Sequence, residues 1–138
     1  MQQLWGCFGV IINNNKLILQ QRNDPGTQFH KKWALPGGIV QFGEHPENTL
    51  IRRVSEEIGI NIDIITLLST IHNFIENDKQ LLLLYYLCTT QDTQLNNYDD
   101  HDDILKVAWF DFQKIKNIQL LRGTGIIIRE AIKLINIK

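Results

Sequence analysis

The stretch GIVQFGEHPENTLIRRVSEEIGI, Gly38 to Ile60, constrains the fold more than any other part of the chain. A tight Pro36-Gly37-Gly38 turn leads into it, and His45-Pro46-Glu47 then opens a helix. Proline suits the first helical turn, where its missing N–H has no intrahelical acceptor to lose, and Glu47 favours the positive end of the helix dipole. Leu50, Ile51, Val54 and Ile58 follow three or four residues apart, the spacing of one face of an amphipathic helix, and Gly59 stops it. Such a face has to be covered by another layer of structure.

The rest of the chain supplies strands. Phe8 to Ile12 and Lys16 to Gln21 are two short apolar segments around Asn13-Asn14-Asn15, which predicts a hairpin. Arg22 to Lys32 is a polar loop, and Trp33 to Leu35 is a brief apolar piece before the Pro-Gly-Gly turn. Ile62 to Ile75 is rich in β-branched residues, Glu76-Asn77-Asp78-Lys79 makes a hairpin turn, and Leu81 to Thr89 reads as a buried strand. Gln91 to Asp103 is a polar, acidic loop before a last strand, Leu105 to Phe110, and a terminal helix, Ile126 to Ile135. Strands with helices before and after them predict an α/β domain with a mixed sheet.

At 138 residues the chain predicts one domain, residues 1–138, with a single core. A net charge of −1 offers no basic surface for polymeric nucleic acid, but a small nucleotide remains compatible if a metal neutralises its phosphates. The apolar runs are too short to span a bilayer and no targeting segment is visible, so a soluble protein without membrane contact is expected. Cys7 and Cys88 lack metal-type spacing and read as buried thiols, consistent with a reduced, cytoplasmic setting.

The helix carries its charges at Arg52, Arg53, Glu56 and Glu57, with Glu44 just before it. Arg52 with Glu56, and Arg53 with Glu57, are one turn apart and can pair. The apolar stripe puts these charges on the flanks and outer face of the helix. Two carboxylates beside a glycine turn with a free carbonyl make an all-oxygen site for a hard cation such as Mg²⁺.

These residues resemble the Nudix family. Its box, G-x5-E-x7-R-E-U-x-E-E-x-G-U with U a bulky aliphatic residue, is matched at Gly38, Glu44, Arg52, Val54, Glu56, Glu57, Gly59 and Ile60, eight of nine defined positions. Trp33-Ala34-Leu35-Pro36-Gly37-Gly38 is similar to the family's lead-in, and Val107-Ala108-Trp109-Phe110 to its late strand. The resemblance implies an α/β/α sandwich that hydrolyses small nucleoside diphosphate derivatives. It implies Mg²⁺ or Mn²⁺ held by Glu56, Glu57 and the Gly37 or Gly38 carbonyl, with Arg52 orienting a glutamate and Glu44 supporting the helix–loop geometry.

The ninth position departs: Arg53 stands where the family has a glutamate that in many members binds metal or acts as base. An arginine stays protonated and does neither. Its charge should weaken metal binding, and it can engage Glu57 itself. Three accounts are open. One metal sits on Glu56 and Glu57 and the base comes from elsewhere; or Arg53 binds a substrate phosphate; or catalysis is lost and a nucleotide-binding module remains. The first is favoured because both glutamates are retained.

A substitute base is sought in Tyr98-Asp99-Asp100-His101-Asp102-Asp103, which by itself also reads as a hydrated acidic loop. In the family a carboxylate several residues before the late-strand tryptophan often contacts metal or water, which nominates Asp102 as a metal ligand and Asp103 for catalysis. His101 resembles the loop histidine of the GDP-mannose mannosyl hydrolase branch, which cleaves at a sugar carbon, and a near-neutral pKa suits a base. Arg22 resembles a family arginine that often meets phosphate, and Trp33 is either core or a platform for a base. Lys31 and Lys32 form a small basic spot beside it, while His30, His45 and His72 lack ligand spacing. Phe74-Ile75-Glu76 looks like nucleoside triphosphate pyrophosphatases that act on modified purines. A homodimer is left open.

Overall fold

The computed structural model describes residues 1–96 and 103–136. Its spine is a parallel pair, β1 (Gln2–Asn13) and β7 (Lys79–Thr89), in unbroken register from Gln2 opposite Lys79 to Ile12 opposite Thr89. Side chains alternate across these strands. Cys7 and Ile11 of β1, with Leu84, Tyr86 and Cys88 of β7, face one cluster; Val10 and Ile12, with Tyr85 and Leu87, face the other. Both faces are covered, which is why the sequence of β7 is a continuous apolar run rather than an alternating one.

One cover is α1 (Pro46–Ile58), whose Leu50, Val54 and Ile58 join the first cluster. The other is α2 (Thr124–Ile135), whose Ile127, Ile128 and Ala131 join the second. The result is the α/β/α sandwich, with a mixed sheet of eight strands among the described residues. The terminal helix begins two residues earlier than its apolar spacing suggests, at Thr124, after Gly123 in the left-handed region.

The predicted hairpin forms between β1 and β2 (Lys16–Arg22), turning at Asn14 and Asn15, both at positive φ of 50° and 61° as a tight two-residue turn requires. Away from the turn β1 and β2 diverge. Beside β1 lies a short strand, β4 (Gly37–Ile39), antiparallel, with Cys7 opposite Gly38 and Phe8 opposite Gly37. Strand β2 pairs with β3 (Trp33–Ala34) on the side where β1 has diverged, and with β8 (Ile104–Asp111) along its opposite side. The β-branched stretch after α1 divides into β5 (Asp63–Leu67) and β6 (His72–Glu76), which share the outer edge of β7. Asn77, at φ 53°, turns β6 into β7.

Candidate active site

Gly37 fixes the approach to the site. It sits at φ 155°, and a Cβ there would collide with the Cys7 carbonyl and come within 2.7 Å of Phe8 Cα. Only glycine lets β4 lie this close to β1. Gly38 is thereby held opposite Cys7, and its carbonyl accepts a hydrogen bond from the Cys7 thiol at 3.6 Å. Burial pushes that thiol up to about 11, so it stays protonated and donates.

Helix α1 starts beyond this strand. His45 caps it, Nδ1 accepting from the Glu47 amide at 3.1 Å, and Gly59 ends it at φ 80°, its N–H reaching the Val54 and Ser55 carbonyls. Glu44 lies just before the cap. It accepts Arg52 Nε on Oε2 at 2.9 Å, and on Oε1 it accepts Arg52 Nη2 at 3.1 Å and the buried Thr49 hydroxyl at 2.6 Å. The Arg52 guanidinium, and after it Thr49, holds the Glu44 carboxyl down to about 2. The third arm of Arg52, Nη1, donates to Glu56 Oε2 at 3.2 Å. Arg52 therefore ties the loop before the helix to a carboxylate on its outer face, and fixes where Glu56 points.

Glu57 departs from the outward placement read from the sequence: it is only 4% exposed, whereas Ile51, assigned to the apolar face, is 38% exposed. The reason is angular. Glu57 is seven residues from Leu50 and three from Val54, within the buried stripe, and Ile51 falls at its edge. Arg53 Nη2 pairs with Glu57 Oε1 one turn along the helix, as the spacing allowed.

Among the described residues no three His, Cys, Asp or Glu side chains converge as a metal-binding group. The oxygen donors nearest that chemistry are Glu56, Glu57 and the inserted Gly37–Gly38 backbone; two carboxylates and a carbonyl suit a hard divalent cation. That set fits the group, with the Arg53 guanidinium now on one of its members.

The other sequence-derived candidates are not gathered here. Trp33 packs edge-on against Phe110, ring centres 4.7 Å apart, in the cluster on the α2 side of the sheet, opposite α1. Arg22, at the end of β2, pairs with Asp24 at 3.2 Å and lies over the Phe29 ring. Asp103 is an exposed turn residue whose carbonyl accepts from the Asn23 amide, which places it by the Arg22 corner. His101 and Asp102 lie outside the described residues. Thr49 and Cys7 were not identified from sequence as part of the site. A threonine five residues after Glu44, at the base of the apolar stripe, was the available signal for the first; the second depends on strand register and has none.

An α/β/α sandwich in which a glycine-led strand abuts a helix bearing Glu44, Arg52, Glu56 and Glu57 defines a class of small hydrolase-like domains. The chain belongs to the Nudix family: residues 5–131 match the NUDIX domain. It is 39% identical over 88 residues to an 8-oxo-dGTP diphosphatase of Proteus vulgaris, covering 63% of this chain and 77% of that protein. It is 35% identical over 60 residues to an 8-oxo-dGTP diphosphatase of Escherichia coli K12, covering 44% of this chain and 46% of that protein. In fold it resembles the crystal structure of a MutT NUDIX hydrolase from Burkholderia pseudomallei, with a TM-score of 0.78 at 24% identity, over 94% of this chain and 98% of that one. No described helix is long and apolar enough to cross a membrane.

Proposed function

We propose that the chain is a metal-dependent pyrophosphohydrolase of small nucleoside diphosphate derivatives, acting on a nucleoside triphosphate with a modified purine or on a nucleotide sugar. The observation that carries this reading is Glu56, fixed by an arginine that is itself clamped on Glu44, one residue from the buried Glu57. An unspecific surface helix gains little from such a chain of ion pairs. A catalytic site gains from it, because its carboxylates have to be in place before substrate arrives. Glu56 and Glu57 with the Gly37 or Gly38 carbonyl would hold Mg²⁺ or Mn²⁺. Such an ion neutralises diphosphate charge and activates water. Arg52 orients Glu56, and Glu44 keeps Arg52 in place.

Likeness to proteins named 8-oxo-dGTP diphosphatase supports the triphosphate over the nucleotide sugar. The test is a panel of nucleoside triphosphates, 8-oxo-dGTP, ADP-ribose and GDP-mannose, each with Mg²⁺ and with Mn²⁺, followed by separation of the products. A nucleoside monophosphate is expected, with pyrophosphate from a triphosphate or a sugar phosphate from a nucleotide sugar, and Glu57→Gln should lower the metal-dependent rate at least about 100-fold. Free sugar would move the attack to a sugar carbon, the chemistry for which His101 was singled out. Nucleotide binding without turnover of any compound would overturn the enzyme in favour of a binding module.

A further inference from the structure

Glu57 is a carboxylate almost wholly removed from water, and a buried charge has to be matched by a cation. The chain supplies one itself, in the Arg53 guanidinium. The same group lies across Gly38: a Cβ there would stand 2.5 Å from Arg53 Nε and 3.2 Å from its Cζ. Arg53 thus sits between two of the groups that the proposed metal site draws on. Its Nε is buried and has no hydrogen-bond acceptor among the described residues. The Gly38 carbonyl lies in the β4–β1 ladder opposite Cys7 and also accepts the weak Cys7 thiol donor at 3.6 Å.

We propose that Arg53 is an internal counter-cation for Glu57, and that a divalent cation binds by displacing it. The inference rests on the metal-site reading given above. Two positive charges cannot share one carboxylate in a weakly polarisable interior without strong repulsion. One of them must leave, and only the guanidinium can. It rides on a long flexible stem with its side chain about a third exposed, whereas Glu57 is enclosed. Its seat is incompletely satisfied at Nε, so leaving gives up the ion pair and little else. Two consequences follow: metal affinity is lower than the burial of Glu57 would otherwise provide, and metal loading frees a guanidinium at the mouth of the site, where it can meet a phosphate.

The test is Mn²⁺ titration by electron paramagnetic resonance on the whole chain, for wild type, Arg53→Met and Glu57→Gln, with thermal unfolding in EDTA and in saturating Mn²⁺. Arg53→Met should bind Mn²⁺ at least about tenfold more tightly than wild type. In EDTA it should unfold several degrees lower than wild type, because Glu57 loses its guanidinium partner, and Mn²⁺ should restore it. Adding Glu57→Gln to Arg53→Met should also restore stability in EDTA, without metal. If Arg53→Met does not fold, Arg53→Gln carries the same comparison. Equal Mn²⁺ affinity in wild type and Arg53→Met, with Glu57→Gln still abolishing binding, overturns the counter-cation and leaves the metal site standing. Mn²⁺ affinity untouched by Glu57→Gln overturns both.

Discussion

Glu44 accepts three hydrogen bonds within 3.1 Å, two of them from one guanidinium, and this lowers its carboxyl from an ordinary 4.5 to about 2. A carboxylate whose pKa is lower folded than unfolded stabilises the fold above its unfolded value, and that contribution is lost as pH falls through the folded one. The contribution of Glu44 is therefore complete above pH 4.5 and disappears on the way down to about 2. Arg52, whose own pKa is raised by the same pair, stays charged throughout. Thermal unfolding of wild type and Glu44→Gln across this range should show a gap in Tm that is widest above pH 4.5 and closes near pH 2. A gap independent of pH would mean that the charge of Glu44 does not act through this pair. The motif spacing made the Glu44–Arg52 partnership legible; the Thr49 hydroxyl that completes it comes from the turn of the helix onto the loop.

Strand β4 is three residues long, yet it decides where the oxygen donors of the site can lie. It reaches β1 only because residue 37 has no side chain to collide with the Cys7 carbonyl. Gly37→Ala should break the pairing of β4 with β1 and destabilise the protein by about 3 kcal/mol or more, the range of a backbone change at a constrained position. Urea unfolding measures it, and wild-type stability would show that β4 can be held without β1. Glycine-glycine in the sequence announced a turn. That the turn continues as a strand beside β1 depends on the divergence of β1 and β2, which no local pattern carries. The β1–β2 turn, by contrast, was legible, because two asparagines at its centre favour positive φ on their own account.

The whole molecule is two cores separated by one sheet, with Ile58 buried under α1 and Ile127 under α2. Changes in separate, well-packed layers with no shared partner add. Ile58→Val and Ile127→Val should each destabilise by about 1 kcal/mol, and the double variant by their sum within about 0.5 kcal/mol. Denaturant unfolding of the three variants gives the comparison; a large coupling would mean that strain passes through the sheet. The clasp of Glu130 on α2 around the amides and hydroxyls of Ser69 and Thr70 links one of these covers to the edge strands β5 and β6.

By itself the sequence determined the periodic and the punctuated features: the length of α1, its proline start and glycine stop, the asparagine hairpin, the apolar run of β7, and the box that nominates Glu44, Arg52, Glu56 and Glu57. Each depends on interactions between near neighbours in the chain, and spacing encodes those directly. The tertiary structure alone decided that β1 pairs parallel with β7 across more than sixty residues, that Trp33 faces α2 and Phe110 instead of α1, and that Cys7 stands under Gly38. It also decided the state of Glu57. Its place on the helix was readable, but its burial, and the guanidinium lying over Gly38 to balance it, exist only once β4 and α1 are brought together. Spacing from Leu50 and Val54 puts Glu57 in the buried stripe, but how far its carboxylate is removed from water depends on everything packed around it.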